Sequence, residues 1–178
     1  VLYGVVIASS SDRCDGRQDR YWVEPMKQVH RRFVGRSGSF ACFGDSITVT
    51  LAFWTPMLYE RRNAPAEMEE AFSLAKATML NECWRQWKGG KYGNESGQTI
   101  RWAHRYVRQW LERLNPEVVL IMFGTNDLNS VPPDEYRLKL REVIGRCLAN
   151  GTIVIVTTIP PQHGFEQNSV DLSKIIRR

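Results

Sequence analysis

Apolar positions along this chain fall into two patterns, short unbroken runs and stripes at steps of three and four. Ser39 to Phe43 reads as the first buried strand. Thr48 to Leu58 starts as a helix that Pro56 interrupts. From Ala66 to Trp87, the positions of Met68, Phe72, Ala75, Met79, Cys83 and Trp87 predict one amphipathic helix, stopped by Gly89-Gly90. Lys91 to Asn94 reads as a short strand. Thr99 is a candidate N-cap for a helix whose stripe runs Ile100, Ala103, Val107, Trp110, Leu111, Leu114 and ends at Pro116. Val118 to Phe123 is six consecutive apolar residues, a strand expected to be buried on both faces. A helix opening at Pro133 carries Tyr136, Leu140, Val143, Ile144, Cys147 and Leu148 and closes at Gly151. Ile153 to Val156 is another buried strand, and Ser169 to Ile176 begins a further helix.

Strands spaced about 30 residues apart, with helices between them, imply right-handed crossovers and a parallel sheet of the α/β class. The 178 residues suit one domain with a real core. Residues 1–37 are polar, with Ser9-Ser10-Ser11-Asp12 and Gly35-Arg36-Ser37, and read as an irregular extension and linker before a domain over 38–178. The chain starts at Val1 and stops at Arg178 in mid-pattern, so both ends read as cut from a longer protein. The compartment stays open on this reading, with secretion or a periplasmic location admitted.

Composition narrows the picture modestly. No apolar run approaches the roughly 18 residues that span a membrane. The charge is 24 basic against 19 acidic residues. Arg101, Arg105 and Arg108 share a helical face with Trp102 and Tyr106 close by; a solvated face is the favoured reading over a nucleic-acid patch. Cys14, Cys42, Cys83 and Cys147 lie far apart with no Cys-x-x-Cys, which argues against a zinc ribbon or redox dithiol. Most of the tryptophans fall on helical stripes, which favours packing over a sugar-binding platform.

Parallel sheets place their sites beyond the carboxyl ends of the strands. Ser46 follows the first strand, Gly97 the possible second, Gly124-Thr125-Asn126-Asp127 the third, and Pro160-Pro161-Gln162-His163 the fourth. A serine at a strand-to-helix turn is where a hydrolase would hold a nucleophile, since the helix N-terminus favours developing negative charge. The Ser46 N–H, the Gly97 N–H and the Asn126 amide would supply three oxyanion donors. Taken alone, Asn126 and still more Gly97 read as ordinary turn residues, and only their combination with Ser46 has force.

Gly44-Asp45-Ser46-Ile47, Ser96-Gly97-Gln98-Thr99 and Gly124-Thr125-Asn126-Asp127 resemble, in order and spacing, the first three blocks of the SGNH hydrolases, also called GDSL-type lipases and esterases. The resemblance implies a three-layer α/β/α sandwich with a parallel flavodoxin-like sheet. It implies Ser46 as nucleophile, an oxyanion hole of Ser46, Gly97 and Asn126, and hydrolysis of a small-molecule or carbohydrate O-acyl ester without metal or cofactor. Asp45, Thr125, Asp127 and His163 are placed with the substrate, although Asp45 and Asp127 also read as braces for their turns. No nucleic-acid partner is expected.

The family's Asp-x-x-His block does not follow Asn126 here. The expectation is that it lies beyond Arg178, leaving the sheet incomplete at its C-terminal edge, with that edge open. His163, the only histidine after Asn126, is the candidate substitute base, but Pro160 stands where the acid would be, and a cleft-lining role is favoured. A non-catalytic ligand-binding module on the same fold is the alternative reading.

Overall fold

A computed structural model describes residues 6–8, 21–59 and 62–177. Cys14 and the Ser9–Asp12 stretch lie outside the described residues. In chain order the elements are β1 (Val6–Ala8), α1 (Val23–His30), β2 (Phe40–Gly44), α2 (Ser46–Thr50), α3 (Ala66–Thr78), α4 (Asn81–Arg85), α5 (Ile100–Leu114), β3 (Val118–Met122), α6 (Pro133–Ala149), β4 (Ile153–Thr157) and α7 (Glu166–Ile176).

The sheet is parallel throughout, in the order β1-β4-β3-β2. Pairing sets Ala41 beside Val119 and Val154, and Phe43 beside Ile121 and Val156. These six residues share one face because strand side chains alternate. All are buried, and Phe43 packs on Trp110 of α5 with ring centroids 5.0 Å apart. On the opposite face Phe40 stacks on Trp54 at 4.8 Å, and Trp54 stacks on Trp84 of α4 at 4.6 Å. Helical layers therefore cover both faces, giving the α/β/α sandwich. Burial is unequal between them. Val118, Leu120 and Met122 of β3 are only half-buried, so the strand expected to be sealed on both sides is sealed on one.

Four local expectations differ from the structure. Residues 1–37 are not irregular throughout: β1 joins the sheet, and α1 sends Met26 and Val29 into the core. The edge of β4 expected to be open is paired with β1 over Ile155–Thr157. The helix predicted over 66–87 breaks at Met79 and Leu80, which are extended, and the Leu80 N–H donates to the Gly38 carbonyl at 2.9 Å. Residues 91–94, expected as a strand, make a 3-10 turn (Gly90–Tyr92) and a single bridge from Asn94 to Gly44.

Candidate active site

Gly44 ends β2, and Ser46 begins α2, with Asp45 as the N-cap between them. Glycine is required at 44: a Cβ there would sit 2.5 Å from both the Met122 carbonyl and Thr48 Cγ2. The Asp45 carboxylate accepts from the Ile47 N–H at 3.4 Å, and the Thr48 hydroxyl donates to the Asp45 carbonyl at 2.7 Å. The turn is thereby fixed from both ends, leaving Ser46 half-buried at the helix N-terminus.

Asn126 ties the three sequence blocks together. Its amide Nδ2 donates to Asp45 Oδ2 and to the Gln98 carbonyl, both at 3.1 Å. Ser46 thus connects through its neighbour Asp45 to Asn126, and Asn126 through Gln98 to Gly97. Gly97 is exposed at φ +78°, a left-handed conformation that glycine adopts without strain. Thr125 is half-buried between Gly124 and Asn126.

Asp127 works one layer beneath. Its Oδ1 accepts the Ile100 N–H at 2.9 Å, capping α5. Thr99, the expected cap, makes no side-chain bond to the helix, so the orphan N–H is satisfied from a different loop. Among the described residues Asp127 Oδ2 has no hydrogen-bond partner. Burial raises the Asp127 carboxyl to about 6; the Ile100 N–H opposes the rise and the Asp45 charge adds to it. Burial also raises Asp45, against the hydrogen bonds from Ile47 and Asn126. Asp45 and Asp127 are 1% and 0% exposed. Both are expected beside substrate from sequence; the contacts they make are with the loops, which they brace from within.

His163 lies in the loop after β4, and its side chain is fully solvated, with Nδ1 3.5 Å from Glu166. His30 bonds Glu117 at 2.7 Å, and His104 pairs with Glu142. Among the described residues Ser46 Oγ has no histidine partner.

Asn94 was not singled out from sequence. Its buried side chain accepts from the Gly89 N–H at 2.8 Å and donates to the carbonyls of Cys42 and Trp87, at 3.0 and 3.1 Å. It fastens the loop that leads to Gly97 onto β2. An asparagine among turn residues gave no signal of this, because its partners are backbone groups remote in sequence.

The serine at the strand-to-helix turn and the asparagine amide lie at the same edge of a parallel α/β/α sheet. Residues 42–178 match the GDSL-like lipase/acylhydrolase family, and the chain belongs to it. Three solved structures share the fold. One is described as a lipolytic protein of the G-D-S-L family from Desulfitobacterium hafniense DCB-2, with TM-score 0.57 and 14% identity, covering 79% of this chain and 70% of that one. Another is the acetyl xylan esterase AlAXEase, at 0.54 and 18%, covering 78% and 70%. The third is LAE5, an alpha/beta hydrolase from the metagenome of Lake Arreo, Spain, at 0.52 and 20%, covering 82% and 74%. No curated protein matches the chain.

Proposed function

We propose that the protein is a serine esterase that cleaves acetyl or short-chain O-acyl esters through an acyl-enzyme on Ser46. Ser46 Oγ attacks the ester carbonyl, the alcohol leaves with a proton, and water then releases the acid. The Ser46 N–H, the Gly97 N–H and the Asn126 amide are the proposed oxyanion donors, and one such donor is typically worth ~3–4 kcal/mol in the transition state. Asn126 would turn one amide hydrogen from the Gln98 carbonyl to the oxyanion. Thr125 and His163 are proposed to border the substrate.

The observation that carries this reading is the Asn126 amide, bonded at 3.1 Å to the residue beside Ser46 and to the residue beside Gly97. The family membership and an acetyl xylan esterase among the structures of the same fold agree with it. One observation favours the second reading, a non-catalytic ligand-binding module: all three histidines are engaged with glutamates and none with Ser46. Labelling by a fluorophosphonate, with turnover of p-nitrophenyl acetate, separates the two. Labelling that disappears in Ser46→Ala supports the esterase. A protein that neither labels nor turns over ester is the binding module.

A further inference from the structure

A cleft of about 730 Å³ lies between the 88–95 loop and α5. Lys88, Lys91, Arg105 and Arg113 line it, against the single carboxylate of Glu95. All four cations are exposed, and none is in an ion pair among the described residues. Lys91 lies over the Tyr92 ring at 4.9 Å and Arg105 over the Tyr106 ring at 6.0 Å, neither of which cancels the charge; like charges around one concavity raise its potential and favour an anionic occupant. The floor is aromatic. Trp102 and Tyr106 stand four residues apart on one face of α5, both half-buried. Trp102 packs against Trp110 at 4.5 Å and Phe123 at 6.2 Å, so its ring plane is fixed before any ligand arrives. Fixed aromatic planes contribute contact area at little entropic cost.

Arg105 also lines a second cleft, about 550 Å³, between α5 and α6. There Glu135 holds Arg101 in two hydrogen bonds of 2.7 and 2.6 Å, and Glu142 lies 3.5 Å from Arg146. Arg105 and Arg108 remain without a carboxylate among the described residues. The cationic band therefore continues across α5 from one cleft to the next. From Trp102 to Arg113 it follows ~16 Å of helix. A small acyl ester has no use for a surface of that length.

We propose that this face of α5 binds an anionic polysaccharide, bearing carboxylate or sulfate groups, as the alcohol part of the ester that Ser46 is proposed to cleave; the inference rests on the esterase reading. Arginine forks pair with carboxylate and sulfate oxygens, and the Trp102 face stacks on a sugar ring between them. The groove includes part of the segment that leads to Gly97. Glu95 is two residues before Gly97, and Trp102 is in the α5 turn that Asp127 caps through Ile100. A polysaccharide carries acyl esters on its hydroxyls, as the chemistry proposed at Ser46 requires, and DNA does not.

The test is retention of the protein on four polymers at low and high salt: alginate, dextran sulfate, neutral dextran and single-stranded DNA. None carries an acyl ester, so the result is independent of turnover. Retention on alginate or dextran sulfate, lost at high salt and absent on dextran, is the expected result, and which of the two retains it names the acidic group. The doubly reversed variant Lys91→Glu with Arg105→Glu, at exposed positions, should weaken binding on the order of tenfold while its circular dichroism is unchanged. Equal retention on dextran, tighter retention on DNA, or an unaffected variant overturns the proposal. Turnover of p-nitrophenyl acetate without glycan retention removes this inference alone. Retention by a protein that hydrolyses no ester removes the esterase reading and leaves a glycan-binding groove.

Discussion

Asn126 Nδ2 and Asp45 Oδ2 form a hydrogen bond of 3.1 Å that joins the loop after β3 to the turn after β2. Asp45 is 1% exposed, so its partners are fixed by the fold. Asp45→Ala leaves the Asn126 amide and the Ile47 N–H with one acceptor fewer. Such a loss costs about 1–3 kcal/mol for a buried group. Asp45→Asn keeps one side-chain oxygen and should lose less. Urea denaturation of the three proteins checks the order wild type, Asp45→Asn, Asp45→Ala. An alanine variant as stable as the wild type would show that the contact contributes nothing.

Asp127 makes stability depend on pH in an unusual direction for a carboxylate. Its carboxyl titrates at about 6 in the folded chain, against an ordinary value of 3.8. Between those values the folded chain keeps a proton that the unfolded chain has released. Stability from this group is therefore full below 3.8, falls as pH rises, and is lost above about 6. The loss amounts to about 3 kcal/mol. Asp127→Asn retains an oxygen for the Ile100 N–H and does not ionise. Its unfolding free energy should be flatter than that of the wild type across this window, read by denaturant titration at several pH values. The same fall in both proteins would assign the effect to another group.

The legible parts of this fold are those that local pattern alone determines. The stripe of α5 and the run of β3 extend over several turns or residues, and both elements form where the periodicity places them. The break between α3 and α4 was invisible because no Gly or Pro marks it. A tertiary hydrogen bond from Leu80 to Gly38 decides it, and Gly38 is remote in sequence. The 91–94 segment misled for the opposite reason. Its composition admits a strand, but Gly93 at φ +88° and the Asn94 side chain fold it onto β2 instead. At the candidate site the motif residues were visible as letters. The Gln98 carbonyl and the buried Asn94 were not, since what they contribute is a partner for a backbone or amide group elsewhere.

Gly44 and Gly97 flank the candidate site, and they are glycines for different physical reasons. At Gly44 the space is absent: a Cβ would meet the Met122 carbonyl and Thr48 Cγ2 at 2.5 Å each. The carbonyl belongs to β3, which is paired on both sides and cannot yield. Gly44→Ala should therefore cost about 2–3 kcal/mol, as overpacking does. At Gly97 the space is present, with nothing within 4 Å of a Cβ, and only the φ of +78° resists a side chain. Gly97→Ala should cost about 1 kcal/mol, the ordinary penalty for a left-handed residue. Denaturation midpoints, with slopes held equal, measure both. Gly44→Ala should be the less stable of the two by more than 1 kcal/mol. The reverse order would mean that the Gly97 loop is held more rigidly than its exposed position indicates.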